Sequence, residues 1–407
     1  MSIFIDLQLL NILQFTCKYS EGSFMSKLTL FLKSIKVQRG NNLRLIVPDN
    51  FVSVGVKVND NINTIKGTNT DYIVNPGLVR FNNGEGKCIF EESIRGKDVY
   101  ILSDVSNYSI TYDSQVGLHH MMPDEHFQDI KRMINATCGH AKRIIVGMPY
   151  MYQSRQDKRN GRESLDLAMA LGELRHYGVS EIITADVHNK SACDNASPQM
   201  PINNFYCSDD IILNLIEKEY FNFEKSMIGS PDFGAIPRAN FYAAILGGLP
   251  LGVFYKQRDY SKVENGLNPI QKHKFLYEGD IRGKDVIIVD DMIATGGSIL
   301  DSAKQLKKNK VGKVYLVATF GLFTKGYEIF DEAYNNGIFD KLYATNLNYV
   351  PEEIKNKPWF EEVDCSMKLA NIICNINEDK SIGNLLNAKA ETVEKIKQLN
   401  LNRSKIA

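Results

Sequence analysis

The 407-residue chain reads as an α/β protein built on mainly parallel sheets, and three observations carry that reading. Short apolar, β-branched runs without alternation, such as Arg143 to Gly147 and Val286 to Val289, suit strands covered on both faces. Between such runs lie amphipathic stretches; over 124–138, Phe127, Ile130, Met133 and Ile134 recur at helical spacing and Gly139 closes the helix. Polar residues gather just after the apolar runs, where a parallel strand leaves its sheet. A chain of this length divides into two or three domains, because a single core stops growing at roughly 250–300 residues.

Composition narrows the class. Lys plus Arg equals Asp plus Glu, 48 against 48, so no charge excess favours nucleic acid or a membrane surface. The seven cysteines (17, 88, 138, 193, 207, 365 and 374) contain no Cys-x-x-Cys, which argues against a zinc knuckle or a disulfide framework and for a reducing, cytoplasmic setting. The apolar start, Ile3 to Leu10, has no basic leader, carries Asp6 and Gln8 and is too short for a bilayer. Globular patterning begins after Met25, so residues 1–26 are expected to be an N-terminal extension.

Along the chain, Leu43 to Val47 is a strand stopped by Pro48. Arg80-Phe81-Asn82-Asn83-Gly84-Glu85-Gly86 carries the Asn-Gly signal of a hairpin. Ile94 to Leu102 is a turn feeding another strand. Arg143 to Gly147 runs out into a loop holding Tyr150, Arg155, Gln156 and Asp157. A helix over Glu163 to Tyr177 leads to the strand Glu181 to Val187, and His188 follows it directly. Ser226 to Ser230 precedes Pro231-Asp232-Phe233-Gly234-Ala235 and Arg238-Ala239. Pro250 to Tyr255 is a short strand, followed by an unpatterned polar stretch to Lys274, the mark of a mobile functional segment. Lys313 to Thr319 is a further strand, and the tail from Glu391 to Lys397 is helical in pattern.

The central stretch is Val286-Ile287-Ile288-Val289-Asp290-Asp291-Met292-Ile293-Ala294-Thr295-Gly296-Gly297-Ser298. A buried strand ends in two acids, and a glycine loop opens the amphipathic run from Ile299 to Leu306. Glycines let backbone N–H groups approach an anion, and a helix N-terminus adds its positive dipole end. The expectation is a phosphate cradle beside two carboxylates, hence a ribose-phosphate site. His188, Asp232, Lys256 and Asp290 each follow an expected strand, so they are placed to meet in one crevice at the carboxyl ends of the sheets.

These motifs resemble, in order, those of the ribose-phosphate diphosphokinase (PRPP synthetase) family, from about Leu43 to Asn346. The resemblance implies two tandem phosphoribosyltransferase-like domains, each a mainly parallel sheet flanked by helices: residues 27–206 on the ATP side and 207–375 on the ribose-5-phosphate side, followed by a helical tail over 376–407. It implies diphosphoryl transfer from ATP to the anomeric hydroxyl of ribose-5-phosphate, giving PRPP and AMP. By the same resemblance Phe81, Asn83, Gly84, Glu85, Arg155 and Gln156 bind ATP, and His188 and Asp232 attend Mg2+. Lys256 and Arg258 form the catalytic Lys-x-Arg; Asp290, Asp291, Ala294, Thr295, Gly296, Gly297 and Ser298 hold ribose-5-phosphate. The family also implies a homo-oligomer, commonly a hexamer with ATP sites shared between subunits. Three differences stand out: Ala294 occupies a position where most members carry Asp, Ala235 replaces a second glycine, and the loop before Arg155 is longer. A phosphoribosyltransferase consuming PRPP would account for the central motif but not for His188, the Ser-Pro-Asp segment or the hairpin. A non-catalytic regulatory partner is opposed by the presence of Lys256, Arg258 and His188.

Overall fold

The computed structural model describes residues 42–159, 161–219, 222–258, 270–386 and 392–398, with the backbone alone at 256–258 and 270–273. The expected extension 1–26, the middle of the polar stretch (259–269) and the side chains of Lys256 and Arg258 lie outside the described residues.

The first unit runs β1 (Leu43–Ile46), α1 (Val52–Lys66), β2 (Ile73–Val74), β3 (Leu78–Arg80), β4 (Gly86–Cys88), β5 (Asp98–Leu102), β6 (Thr111–Ser114), β7 (Gly117–His120), α2 (Pro123–Ala136), β8 (Arg143–Gly147), α3 (Asp166–His176), β9 (Glu181–Ala185), α4 (Lys190–Ala196) and β10 (Ile202–Phe205). The second runs α5 (Ser208–Lys218), β11 (Ser226–Ser230), α6 (Ile236–Ile245), β12 (Leu251–Arg258), β13 (Ile270–Leu276), β14 (Asp285–Ile293), α7 (Gly297–Lys308), β15 (Val314–Gly321), α8 (Glu328–Asn335), β16 (Lys341–Thr345), α9 (Glu352–Lys355) and β17 (Phe360–Val363). Two more helices follow, α10 (Ser366–Asn377) and α11 (Gly383–Leu386), and 392–398 is also helical.

Both units share one plan. The first sheet has the order β2-β1-β5-β8-β9-β10 and the second β12-β11-β14-β15-β16-β17, all parallel, with antiparallel β13 added outside β12. Every residue of β5 and of β15 is buried, as parallel strands covered on both faces require. Strand order reverses between β11 and β14, the switch point where open α/β sheets receive ligands. One apolar core backs the first sheet, through Ile101, Val146 and Ile130, and another backs the second, through Ile288, Leu316 and Phe330. A third lies between the sheets and draws on both, from Leu45 and Val58 to Val317 and Ile373.

Three features depart from the sequence reading. The central strand does not stop at Val289. It continues through both acids to Ile293, because β15 stays alongside and pairs Ala318 with Asp290 and Phe320 with Met292. The helix expected from Glu163 begins at Asp166. The polar stretch after Tyr255 is bounded by structure: β12 runs on to Arg258 and pairs antiparallel with β13, with Phe254 opposite Phe275. Lys256 therefore sits inside a strand rather than beyond one. The hairpin β6–β7 has no counterpart in the sequence reading. No described helix is long and apolar enough to cross a membrane.

The turn into α7 depends on Gly296. Its φ is +79°, and a Cβ there would lie 2.2 Å from Phe330 Cζ in the core behind the second sheet. Gly296→Ala is expected to lower the unfolding free energy by about 2–4 kcal/mol, combining left-handed backbone strain with overpacking. Urea denaturation checks this: the midpoint falls while the slope is unchanged.

Candidate active site

A cleft of about 910 Å³ opens where the carboxyl ends of both sheets meet. His188, carried past β9, enters it from the first unit; Asp232 after β11 and Asp290 and Asp291 on β14 enter it from the second. The structure thus brings together three of the four residues expected to converge.

A contact across the cleft joins His188 Nδ1 to Asp291 Oδ2 at 2.7 Å. That hydrogen bond raises the His188 pKa against the opposing effect of burial. Burial by itself would raise Asp291, but His188 and Arg238 outweigh it and hold the carboxyl below its ordinary range. Asp290 moves the other way, pushed up by burial and by the neighbouring Asp291 charge. The two adjacent carboxyl groups are thus shifted in opposite directions, Asp291 toward the ionised form and Asp290 toward the protonated one. Asp232 is fixed by its own turn: its Oδ1 accepts from Ala235 N at 3.0 Å, and its carbonyl accepts from Ser230 Oγ at 2.7 Å.

Beneath these groups lies an ion pair that sequence reasoning did not assign. Arg238 Nε donates to Asp186 Oδ1 and Oδ2 at 3.1 and 2.9 Å, and Nη2 donates to Oδ1 at 2.8 Å. Thr319 Oγ1 donates to Asp186 Oδ2 at 2.6 Å. Asp186 has φ +38°, rare for a residue with a side chain, and precedes His188 by two positions. The available signal was Asp186-Val187-His188 and Arg238-Ala239, motifs noted for their other residues. Asp157 was also missed as a cleft residue; its carboxylate accepts from Asn189 Nδ2 at 2.6 Å.

The cleft carries groups able to hold a metal. Asp232, Asp290 and Asp291 offer hard oxygens, whereas His188 has one ring nitrogen committed to Asp291. Among the described residues these groups form no cluster of three within 4.8 Å. Such a site fits a cation held by one or two carboxylates and by substrate phosphates, the habit of Mg2+.

Other expected residues stand apart. Thr295, Gly297 and Ser298 are exposed at the start of α7, beyond the acids, and do not line the cleft. Ala294 is half-buried, its carbonyl accepting from Thr324 N at 2.9 Å. Phe81 to Glu85 form the tip of the β3–β4 hairpin: Asn83 Nδ2 donates to Glu85 Oε2 at 2.9 Å, Gly84 takes φ +88°, and Phe81 is 45% exposed. The β6–β7 hairpin braces this tip through Gln115 N and Asn82 O at 2.8 Å. Neither hairpin lines the cleft of its own chain. Arg155 is exposed and Gln156 Nε2 donates to Ser164 O at 3.0 Å; the cleft wall begins one residue later, at Asp157 and Lys158.

With this geometry in view, comparison with known proteins gives consistent matches. Residues 59–178 match the N-terminal domain of ribose phosphate pyrophosphokinase, and residues 204–328 match the phosphoribosyl transferase domain. The chain is 28% identical over 308 residues to the ribose-phosphate pyrophosphokinase of Synechococcus elongatus, covering 75% of this chain and 84% of that protein. It is 28% identical over 325 residues to that of Mycoplasma pneumoniae, covering 78% and 90%. The fold matches a crystal structure of phosphoribosylpyrophosphate synthetase from Mycobacterium smegmatis with TM-score 0.67, at 23% identity, over 83% of this chain and 99% of that one. Two domain matches in tandem, relatives matched over most of their length and a shared two-unit fold agree, and the chain belongs to the ribose-phosphate pyrophosphokinase family.

Proposed function

We propose that the protein transfers the diphosphoryl group of ATP to the anomeric hydroxyl of ribose-5-phosphate, forming PRPP and AMP. The observation that carries this reading is the meeting of His188 from one unit with Asp291 from the other, at the switch point of the second sheet and next to a glycine loop that opens a helix.

The sugar's C1 oxygen attacks the β-phosphorus of ATP. A C1–O–P bond forms, the bridge between the α- and β-phosphorus breaks, and the hydroxyl proton is lost as AMP departs. Such transfers need alignment and charge stabilisation more than covalent help from the protein. Asp290 and Asp291 are assigned to the ribose hydroxyls. The N–H groups at the start of α7, with Thr295 and Ser298, are assigned to the 5-phosphate. Mg2+ held by Asp232 and the phosphates, with His188 beside it, would neutralise phosphate charge. Lys256 and Arg258, on the strand that leads into the 259–269 segment, are assigned to the charge that develops on the transferring group. Phe81 offers a face to adenine, with Asn83 and Glu85 at the ring edge. Because that hairpin does not line the cleft of its own chain, we assign it to the cleft of a neighbouring subunit, so the working enzyme is a homo-oligomer.

Four outcomes test this assignment. ATP should give AMP only with ribose-5-phosphate and Mg2+ present, and formation of ADP instead would rule the reaction out. Lys256→Ala should reduce kcat by about 100-fold or more with the KM for ATP changed less than about threefold; equal effects on both would make it a binding residue. Phe81→Ala should raise the KM for ATP by about 5- to 100-fold, the equivalent of a lost base stack, without a matching change for ribose-5-phosphate. The His188–Asp291 pair has its own pH signature. A raised imidazole contributes stability fully below its ordinary 6.5 and loses it as pH rises through the higher folded value. A depressed carboxyl contributes above its ordinary 3.8 and loses it as pH falls through the lower folded value. His188→Gln should therefore cost roughly 1 kcal/mol between these ordinary values and progressively less as pH rises beyond 6.5, read from urea midpoints across pH.

A further inference from the structure

The repeated plan of the two units hides a repeated junction. The last strand of the first sheet, β10, is followed by Tyr206-Cys207-Ser208, where α5 begins; the last strand of the second, β17, is followed by Asp364-Cys365-Ser366, where α10 begins. Each helix then crosses over. α5 packs on β16, β17 and α6 of the second unit, and α10 packs on α1 of the first. The two crossings meet, and each brings a cysteine at the same step. Cys207 and Cys365 are 0% and 1% exposed, and their sulfurs and a carboxylate oxygen of Asp210 all lie within 4.8 Å of one another.

The third residues of the two helices, Asp210 and Lys368, also face each other, with Lys368 Nζ 2.7 Å from Asp210 Oδ2. Asp210 Oδ2 is buried from solvent, with the Lys368 ammonium as its charged neighbour. Lys368 is shared: it bonds to Asp209 and donates to the Tyr206 carbonyl at 2.8 Å.

We propose that Cys207, Cys365 and Asp210 form a binding site for a thiophilic divalent cation of the zinc class, which would tie together the two points where the chain crosses between units. Two thiolates and a carboxylate suit zinc, with water in the fourth position. Zn–S bonds of about 2.3 Å place tetrahedral ligands roughly 3.8 Å apart, so atoms within 4.8 Å of one another need move by no more than about 1 Å to close on an ion. Both cysteines stand at the N-terminus of a helix of more than ten residues, where a thiolate is favoured by the dipole. Charge is conserved on loading. One M2+ enters, two thiol protons leave and two metal–sulfur bonds form, so Lys368 keeps its role opposite Asp209. Burial pushes both thiols above their ordinary range, so uptake should strengthen as pH rises. The spacing of 158 residues between the cysteines (365 − 207) kept this grouping out of any local motif.

The test uses the full-length protein, purified reduced, loaded with Zn2+ and desalted, then loaded in parallel with Co2+. About one equivalent of zinc should be retained and a thiolate-to-cobalt charge-transfer band should appear in the near ultraviolet. Cys207→Ser and Cys365→Ser should each abolish the band. If either variant fails to fold, X-ray absorption at the zinc edge of the wild type decides: a shell of two sulfurs and two light atoms supports the site, and a shell of oxygen and nitrogen alone overturns it. Because a cation at the catalytic cleft would have only oxygen and nitrogen neighbours, the sulfur shell also separates this site from the proposed active site. Full retention of zinc in both variants overturns the proposal. So does an intact mass two hydrogens lighter with no zinc bound, which would mark a disulfide.

Discussion

The site depends on one buried ion pair, Asp186 with Arg238. Asp186 directly follows β9 of the first unit, while Arg238 and Thr319 belong to the second, so the pair spans the seam between them. Two charges taken out of water cost several kcal/mol each, and only good geometry with further hydrogen bonds offsets that cost. Here the carboxylate accepts from both Arg238 nitrogens and from a hydroxyl, and its backbone N–H donates to Phe205 O at 2.8 Å. An unpaired partner would be strongly unfavourable, so the contact selects one relative placement of the units. It also holds Asp186 in a backbone conformation that side chains seldom adopt, and this bend carries His188 across to Asp291. Strain in the first unit is thus maintained by charge in the second.

Other contacts reinforce that placement from the far side. Asn377 donates to Asp98 of the first sheet, Arg143 Nη2 donates to the Ile376 carbonyl at 3.1 Å, and Lys66 reaches Glu378 at 2.9 Å. These anchor the end of α10 to a unit from which it is remote in sequence. The apolar core between the sheets draws residues from both, including Leu369 and Ile373 of α10. The two units therefore share a layer rather than touching at their surfaces, which suits a catalytic cleft assembled from both.

Much of this was legible in the sequence, for physical reasons. Parallel strands covered on both faces leave continuous apolar runs, so β8, β9, β14 and β15 could be read directly. A positive φ against an aromatic ring demands glycine, so Gly296 announced the turn at the head of α7. What escaped depends on the third dimension. Asp290 and Asp291 look like loop residues because they are polar, yet β15 keeps pairing beside them. The β12–β13 hairpin escaped because it begins where an apolar run gives way to polar residues. Arg238 has an ordinary helical context; its role exists only because Asp186 lies opposite it in space. The same holds for Cys207 and Cys365, which become neighbours only when both crossings are made.

The packing of α10 on the first unit has a consequence for how the chain is made. The first sheet is complete at Phe205, but α1, which α10 covers, lacks its partner until residues 366–377 have been added. At roughly 5–20 residues per second, the intervening 160 residues (366 − 206) occupy the ribosome for about 8–32 s. Throughout that interval α1 lacks the helix that packs on it, and the surface α10 will cover stays open to water or to whatever chaperone meets it. The N-terminal unit is first in the sequence and among the last parts to be finished.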